Sequence, residues 1–509
     1  MVEVLLNPFW LAYLCGLLLS WGGERSLLPH PAPPWRRRPA SLFVHVSVWT
    51  IAFVAEFALF RRPYFAAANV LAIELVLIAV SNAKFRALGE PFVYPDFEYF
   101  TDAVRHPRLY LPFLGIVPVL LVSGAYAGAL WGALVLETPM LMMGRHGVEC
   151  AALFAGAVAL LFIAGPRLGA ATFNPEYDLY RLGLVGFLWC YRRHERDPSA
   201  EIPRVTPYAQ LQPVVTQLDK LPDLVTVQSE SFFDVRARYS IVKTEVLSSF
   251  DTLCRQAVRH GRLHVPARGA NTVRSEFAYL SGLRAWQLGI HKFHPYRRIQ
   301  TEGVATIATF LRSRGYRTVC VHPYHPTFYH RDRVLPLLGF DEFVDISNFS
   351  TADLVGAYVG DQALSRYVIS RLHHTNDQPL YIHVITMENH GPLHWERVDH
   401  ETAATLLCDP TAIGCHDLVA YLRHLLNAQQ MFTDLATCLR NRTNDRPGGL
   451  CIFGDHIPIM PDVYSQLGSP KGDTDYLIWK TGHHAPALSQ DMALEDLGLA
   501  FLSVTNIIK

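Results

Sequence analysis

The chain lacks the features that mark a small stapled scaffold or a nucleic-acid binder. Nine cysteines are spread over 509 residues, and no C-x-x-C occurs, so a zinc ribbon is disfavoured. An odd number of cysteines leaves at least one thiol unbridged. Lys plus Arg and Asp plus Glu number 45 each. With no basic excess there is no electrostatic footprint for nucleic acid. There is no internal repeat and no low-complexity tract. No Gly-x-Ser-x-Gly elbow occurs either, since Ser229-Glu230-Ser231 has the wrong neighbours, and a serine hydrolase is disfavoured.

Charge is scarce before about residue 166 and ordinary after it. In the charge-poor part five runs are of a length and apolarity that suit membrane spans, given that about 20 apolar residues cross a bilayer. They are Val4–Trp21, Ser41–Phe60, Tyr64–Ala83, Leu109–Leu136 and Cys150–Gly165. The first lacks a basic start and a small-x-small cleavage site, so it reads as an anchor rather than a cleaved signal. Glu56 and Glu74 fall inside spans, where a charge must face protein or water. Residues 166–222 read as a juxtamembrane segment. Within it Tyr177–Arg193 has the pattern of an amphipathic helix suited to a bilayer surface, and residues 195–222 form a linker.

From Asp223 to Lys509 short β-rich runs alternate with helical stretches. The runs are Leu224–Gln228, Thr318–His322, Leu380–Thr386, Leu450–Phe453 and Tyr476–Trp479, with helices near 244–260, 301–314, 352–373 and 416–440. This alternation predicts an α/β domain with a mostly parallel sheet flanked by helices. Sites in such sheets lie at the carboxyl ends of the strands, and three of these strands end in Gln228-Ser229-Glu230, Glu388-Asn389-His390 and Gly454-Asp455-His456.

Gly269-Ala270-Asn271-Thr272, followed by Phe277-Ala278-Tyr279-Leu280, places a hydroxyl at a loop-to-helix corner. There the free N–H groups of a helix start favour an attacked phosphate. Glu230, Asp455 and His456 form a mixed carboxylate–imidazole set suited to Mn²⁺, Mg²⁺ or Zn²⁺. A metal touching the Thr272 oxygen would make it a nucleophile near neutral pH. His383, inside an apolar strand, reads as a core residue.

Four stretches together resemble the signatures of the lipoteichoic acid synthases and related phosphoglycerol transferases, in the sulfatase-like branch of the alkaline phosphatase superfamily. They are Leu224-Val-Thr-Val-Gln-Ser-Glu230-Ser231-Phe232, the Thr272 corner with Ser275-Glu276-Phe277, Thr386-Met-Glu-Asn-His390-Gly-Pro392 and Phe453-Gly-Asp-His456. The resemblance covers about residues 220–480. It extends loosely to the membrane half through Asn82-Ala-Lys84, Gly89-Glu-Pro91 and Asp96. It implies that Thr272 carries a covalent phosphoglycerol adduct and that Glu230, Thr272, Asp455 and His456 bind the metal, usually Mn²⁺. It also implies that His322, Tyr329, Arg331 and His390 contact the phosphoglyceryl group. The family usually has Trp where Tyr329 stands. Cys408-Asp-Pro-Thr-Ala412 resembles the Cys-x-Pro-Ser-Arg sulfatase site only superficially, lacking the Arg and lying far from the Thr272 position.

The expected activity is transfer of the phosphoglyceryl headgroup of phosphatidylglycerol to a glycan or glycolipid acceptor. The rivals are a phosphoethanolamine transferase, a phosphodiesterase or sulfatase-like hydrolase, and a non-catalytic metal-binding membrane sensor or scaffold. The expected location is the bacterial cytoplasmic membrane with the catalytic domain outside. The family plan favours that side, as does the spacing of Cys408 and Cys415, which suits a disulfide. The positive-inside tally opposes it, because the outer loops would hold Arg25, Arg36, Arg37, Arg38, Lys84, Arg86, Arg105 and Arg108.

Overall fold

Prolines start four helices of the N-terminal part. Pro8, Pro39, Pro63 and Pro175 each occupy a first helical turn, where a missing N–H costs nothing and the fixed φ is already helical. The helices are Pro8–Gly23, Pro39–Phe60, Pro63–Leu88, Ile116–Leu136, Arg145–Ala164 and Pro175–Glu195. The computed structural model describes residues 7–98, 100, 116–140, 145–197, 201–212, 221–299, 303–374, 378–411, 414–441 and 446–509. They divide into two units, Met1–Ala200 and Glu201–Lys509. The first residues of the expected spans at Val4 and Leu109, and much of the expected linker, lie outside the described residues.

Among the described residues three helices are long and apolar enough to cross a membrane: Pro39–Phe60, Pro63–Leu88 and Gly147–Leu168. Pro8–Gly23 has 16 residues, about 24 Å at 1.5 Å per residue, which is short of a bilayer core of about 30 Å. Its inner face still joins the core of the unit. Phe9, Tyr13 and Leu17 pack with Trp49, Phe53 and Phe57, and the Phe9 and Phe53 rings meet edge-on at 5.3 Å. The amphipathic stretch is the helix Pro175–Glu195, broken at Gly183 (φ 68°). Its buried Leu179, Leu182, Leu184, Phe187 and Tyr191 face the bundle, and the Ser41 hydroxyl donates to the Leu182 carbonyl.

The second unit is built on one sheet. Its strands are β1 (Asp223–Ser229), β2 (Arg259–His264), β3 (Arg317–Val321), β4 (Glu342–Val344), β7 (Leu380–Ile385), β8 (Gly448–Gly454), β9 (Thr474–Lys480), β10 (Leu488–Ser489) and β11 (Met492–Ala493), with β5 (Leu354–Val355) and β6 (Tyr358–Val359) forming a separate hairpin. The order is β10-β2-β9-β8-β1-β7-β3-β4, with β11 beside β2. β8, β1, β7, β3 and β4 are mutually parallel, and β9 runs against β8 and β2. The expected mostly parallel sheet is therefore present. β1, β7 and β8 are buried throughout, as parallel strands covered on both faces must be.

β2 was not legible in the sequence. Its residues, Arg-His-Gly-Arg-Leu-His, have no apolar pattern, and it forms through pairing with β9. The pair Cys408/Cys415 is a correction, because all nine cysteines are free. Cys415 turns into the core beside Leu418 and Val419, whereas Cys408 is exposed with its Sγ near the Ser240 carbonyl.

The core against helix His416–Arg440 centres on Phe232, Phe250 and Phe432. Phe232 meets the other two rings edge-on at 4.9 and 5.2 Å. Phe432→Ala should cost about 3–5 kcal/mol, seen as a clear fall in the thermal midpoint of the full chain in detergent.

Candidate metal centre and nucleophile

Strand register creates the site. β1 and β8 pair in parallel with Ser229 opposite Gly454, so the next residue on each strand, Glu230 and Asp455, leaves the sheet side by side. The chain turns sharply after Glu230 because Ser231 has φ 55°. That turn points the Ser231 N–H at Asp455 Oδ1, 2.9 Å away. Gly454 is required here, since a Cβ would lie 1.8 Å from the Phe232 carbonyl oxygen.

Glu230, Asp455 and His456 offer ligand atoms that all lie within 4.8 Å of one another. His456 Nε2 is 3.5 Å from Glu230 Oε1 and 3.5 Å from Asp455 Oδ2. All three side chains are buried. The other ring nitrogen, Nδ1, faces the Ile457 carbonyl at 3.1 Å and the Ser231 hydroxyl at 3.2 Å, a partnership that holds the ring with Nε2 toward the carboxylates. The Ser231 hydroxyl also donates to Glu230 Oε1 at 2.9 Å. Burial pushes the Asp455 carboxyl up to about 7, with His456 opposing and Glu230 adding to the rise. Burial lowers His456, but the Asp455 and Glu230 charges outweigh it and hold the imidazole above its ordinary value.

The residues fit a divalent cation. Asp455 Oδ2 is buried with no hydrogen-bond partner, an arrangement that is costly unless something positive completes it. Two carboxylates and one imidazole form a hard-to-borderline donor set.

Thr272 is the first residue of the helix Thr272–Ser281. Asn271, at φ 68°, occupies the N-cap position. Its side chain makes no capping hydrogen bond, and Thr272 Oγ1 lies 3.5 Å from His456 Nε2. The four expected metal and nucleophile residues come together. The helix is held against the centre by the Ser275 hydroxyl, which donates to the Asp455 carbonyl at 2.6 Å.

The four expected headgroup residues form a neighbouring group with a partner that went unassigned. Arg331 Nη2 is 2.6 Å from Glu276 Oε2, and its Nη1 is 3.0 Å from His322 Nε2. Glu276 lies one turn after Thr272 on the same helix and also accepts from the Tyr296 hydroxyl at 2.5 Å. Burial and the Arg331 charge hold His322 well below its ordinary value, so its ring is neutral. Its Nδ1 faces the Ile385 carbonyl at 3.2 Å. Tyr329 stacks under Arg331, 5.3 Å from ring centre to guanidinium. His390 is near the Tyr358 hydroxyl at 3.3 Å.

Sequence reasoning missed Glu276 as the counter-charge of Arg331 and Ser231 as the residue that fastens the centre. Both stood inside quoted motifs, but only folding shows their partners. Asn389 and Thr386 were missed likewise. Asn389 Nδ2 donates to the Glu230 carbonyl at 3.2 Å, and Thr386 Oγ1 accepts from the Glu230 N–H at 2.9 Å. His383 is a core residue as expected, stacked on Tyr279 at 5.7 Å.

A parallel sheet whose strand ends carry a Glu/Asp/His centre beside a helix-starting threonine defines a sulfatase-like domain of the alkaline phosphatase superfamily. Comparison with known proteins agrees. The Sulfatase family profile matches residues 222–507, and the chain belongs to that family. It is 27% identical to the capsular polysaccharide biosynthesis protein RkpI of Rhizobium meliloti (strain 1021), over 94% of this chain and 91% of that one. It is 26% identical over 149 residues to lipoteichoic acid synthase 1 of Bacillus subtilis (strain 168), a match covering 28% of this chain and 22% of that protein. The integral membrane lipooligosaccharide phosphoethanolamine transferase A (EptA) of Neisseria meningitidis shares the fold over 91% of this chain and 87% of its own, with a TM-score of 0.58 at 12% identity. The chain is thus a sulfatase-like protein close to the phosphoglycerol and phosphoethanolamine transferases, with apolar N-terminal helices.

Asp455→Asn and Glu230→Gln each remove an anionic donor and should weaken Mn²⁺ binding at least about tenfold, the scale of even outer-shell losses. Titration calorimetry on the purified protein reads this directly, and unchanged affinity in both variants would place the metal elsewhere.

Proposed function

We propose that this protein is a membrane-bound, metal-dependent phosphoglycerol transferase. It moves the phosphoglyceryl headgroup of phosphatidylglycerol through a covalent adduct on Thr272 to a hydroxyl of a glycan or glycolipid acceptor. The observation that carries this reading is the Thr272 hydroxyl, at a helix start and 3.5 Å from the imidazole of a buried Glu230–Asp455–His456 centre. The relative named for capsular polysaccharide biosynthesis supports a glycan acceptor.

Glu230, Asp455 and His456, with Thr272 Oγ1, would hold the cation, Mn²⁺ in this reading or else Mg²⁺ or Zn²⁺. When bound it supplies the positive charge that makes the threonine hydroxyl acidic enough to react. Thr272 Oγ1 then bonds to the headgroup phosphorus and loses its proton. The bond from phosphorus to the diacylglycerol oxygen breaks, and that oxygen leaves protonated. In the second half the acceptor oxygen bonds to the same phosphorus, the bond from phosphorus to Thr272 Oγ1 breaks, and the proton lost by the acceptor hydroxyl is balanced by the one Thr272 regains. Two sequential displacements give ping-pong kinetics.

The positive end of helix Thr272–Ser281, at which Thr272 is the first residue, favours the negative charge of a transferred phosphoryl group. His322, Tyr329, Arg331 and His390 receive the glyceryl phosphate. Arg331 shares its charge with Glu276, so it contributes orientation as much as attraction.

Thr272→Ala should abolish turnover and leave the melting behaviour close to wild type, because one small polar group is lost. Incubation with headgroup-labelled phospholipids, Mn²⁺ and a chelator control, followed by peptide mass spectrometry, should find the label on Thr272. Label from ethanolamine but not glycerol lipids would reassign the headgroup. No adduct, with full activity in Thr272→Ala, would refute the covalent route.

The five-span count and an external catalytic domain belong to the same reading, since lipid donor and glycan acceptor meet at the outer face. A reporter active only outside the cytoplasm, fused after Lys509, should be active. Silence there, with a cytoplasmic reporter working at the same junction, would overturn the topology.

A further inference from the structure

Part of the expected linker is packed into the second unit. Thr206 is buried, and its hydroxyl donates to the Ala305 carbonyl at 2.9 Å. Pro207–Gln210 closes into a 3₁₀ turn, with the Ala209 N–H on the Thr206 carbonyl at 3.1 Å. Tyr208 is only 3% exposed. A passive spacer keeps its backbone solvated and buries no aromatic ring.

Tyr208 meets the end of the helix that carries Thr272. Its hydroxyl donates to the Tyr279 carbonyl at 3.3 Å. That carbonyl belongs to the last turn of Thr272–Ser281, where carbonyls lack partners within the helix. In a longer helix the Leu283 N–H would answer it. Here the chain turns left-handed at Gly282 (φ 67°), and Leu283 donates to the Ser281 hydroxyl at 3.2 Å instead. Tyr208 therefore completes the C-terminal end of this helix.

Two glycines shape the seat. A Cβ on Gly282 would lie 3.3 Å from Pro207 Cγ and 3.4 Å from Tyr208 Cε2, and one on Gly498 would lie 2.1 Å from the Tyr208 hydroxyl oxygen. Gly498 stands inside helix Leu494–Val504, where glycine is a poorer helix former than alanine. Seating the tyrosine is what its missing side chain achieves. The other end of Thr272–Ser281 is fixed by chemistry already described. Thr272, Ser275, Glu276 and Tyr279 share one stripe of the helix. They reach His456, the Asp455 carbonyl, Arg331 and, at 2.8 Å, Thr226 Oγ1. A helix of ten residues is about 15 Å long, so a shift at its C-terminal end is felt at Thr272. Misplacing a reacting atom by about 1 Å can slow a reaction about a hundredfold.

We propose that Tyr208 is a positioning residue: it seats the C-terminal end of helix Thr272–Ser281 and thereby holds Thr272 Oγ1 beside the Glu230–Asp455–His456 cluster. The proposal rests on the reading of Thr272 as the nucleophile, and it gives the segment that follows the first unit a part in the chemistry.

The test uses Gly498→Ala in the full-length protein, a change that favours its own helix but drives a methyl group into the Tyr208 hydroxyl. The measured quantity is the rate at which headgroup label from phosphatidylglycerol in nanodiscs reaches Thr272, at saturating Mn²⁺ and well below the thermal midpoint. Gly498→Ala should slow it about tenfold or more. Adding Tyr208→Phe removes the clashing oxygen and should restore the rate to within about twofold of wild type. An unchanged rate in folded Gly498→Ala, with only the midpoint lowered, would mean a structural role and overturn the proposal. A loss that Tyr208→Phe does not restore overturns it as well. If Gly498→Ala does not fold, Tyr208→Leu, which leaves the Tyr279 carbonyl unanswered, should show the same slowing, and a wild-type rate there counts against the proposal. If wild-type protein takes no label, the transferase reading fails instead. Hydrogen exchange then decides the seating alone. The amides of residues 273–281 should exchange faster in Gly498→Ala and return to wild-type rates in the double variant, and equal exchange in all three overturns the proposal.

Discussion

The parallel register of β1 and β8 is the constraint on which the rest depends. Pairing Ser229 with Gly454 makes two carboxylates emerge next to each other at the buried end of a sheet, where like charges repel and water is excluded. Such a pair is tolerable only if protonated or completed by positive charge. The unpartnered Asp455 Oδ2 and the raised Asp455 carboxyl are two expressions of that condition. Shifting either strand by one residue would send Glu230 or Asp455 to the other face of the sheet.

Around this centre the fold spends its polar groups on holding rather than on reacting. Ser231 fastens both Glu230 and His456, Ser275 anchors helix Thr272–Ser281 to the Asp455 backbone, and Asn389 and Thr386 grip the Glu230 backbone. Helix Thr272–Ser281 would serve two of the proposed roles one turn apart. Thr272 lies beside the Glu230–Asp455–His456 cluster, and Glu276 pairs with Arg331, while burial together with the Arg331 charge keeps His322 uncharged. A displacement of this helix would disturb nucleophile and headgroup residues together, so rigidity here serves both halves of the proposed reaction.

The N-terminal unit follows a different economy. Four of its helices begin at prolines, and they pack through aromatic faces, with Phe9, Phe53 and Phe57 in mutual contact. Against that apolar background the Glu24–Arg37 pair is conspicuous, because charge is expensive there. Lys84 shows a locally satisfied charge, held between Glu90 and Asp96 at 2.6 Å each.

Much of this was legible in the sequence, for local reasons. Alternating apolar runs and helical stretches determined the α/β class, and β1, β3, β7, β8 and β9 appear where their β-branched and aromatic runs predicted them. The strand-end residues Glu230, Asp455 and His456 and the corner at Thr272 were visible because chemistry at parallel strand ends needs those residue types there. The tertiary structure alone decided the rest. β2 exists through its partner strand and not its own pattern. Cys408 and Cys415 stay unbridged because one faces solvent and the other the core, a matter of direction that spacing does not carry. Glu276 met Arg331, 55 positions away, and Glu24 met Leu184, 160 positions away. Periodicity records which side of an element is apolar, whereas the pairing of buried charges depends on how separate elements are brought together, and that is settled only when the chain has folded.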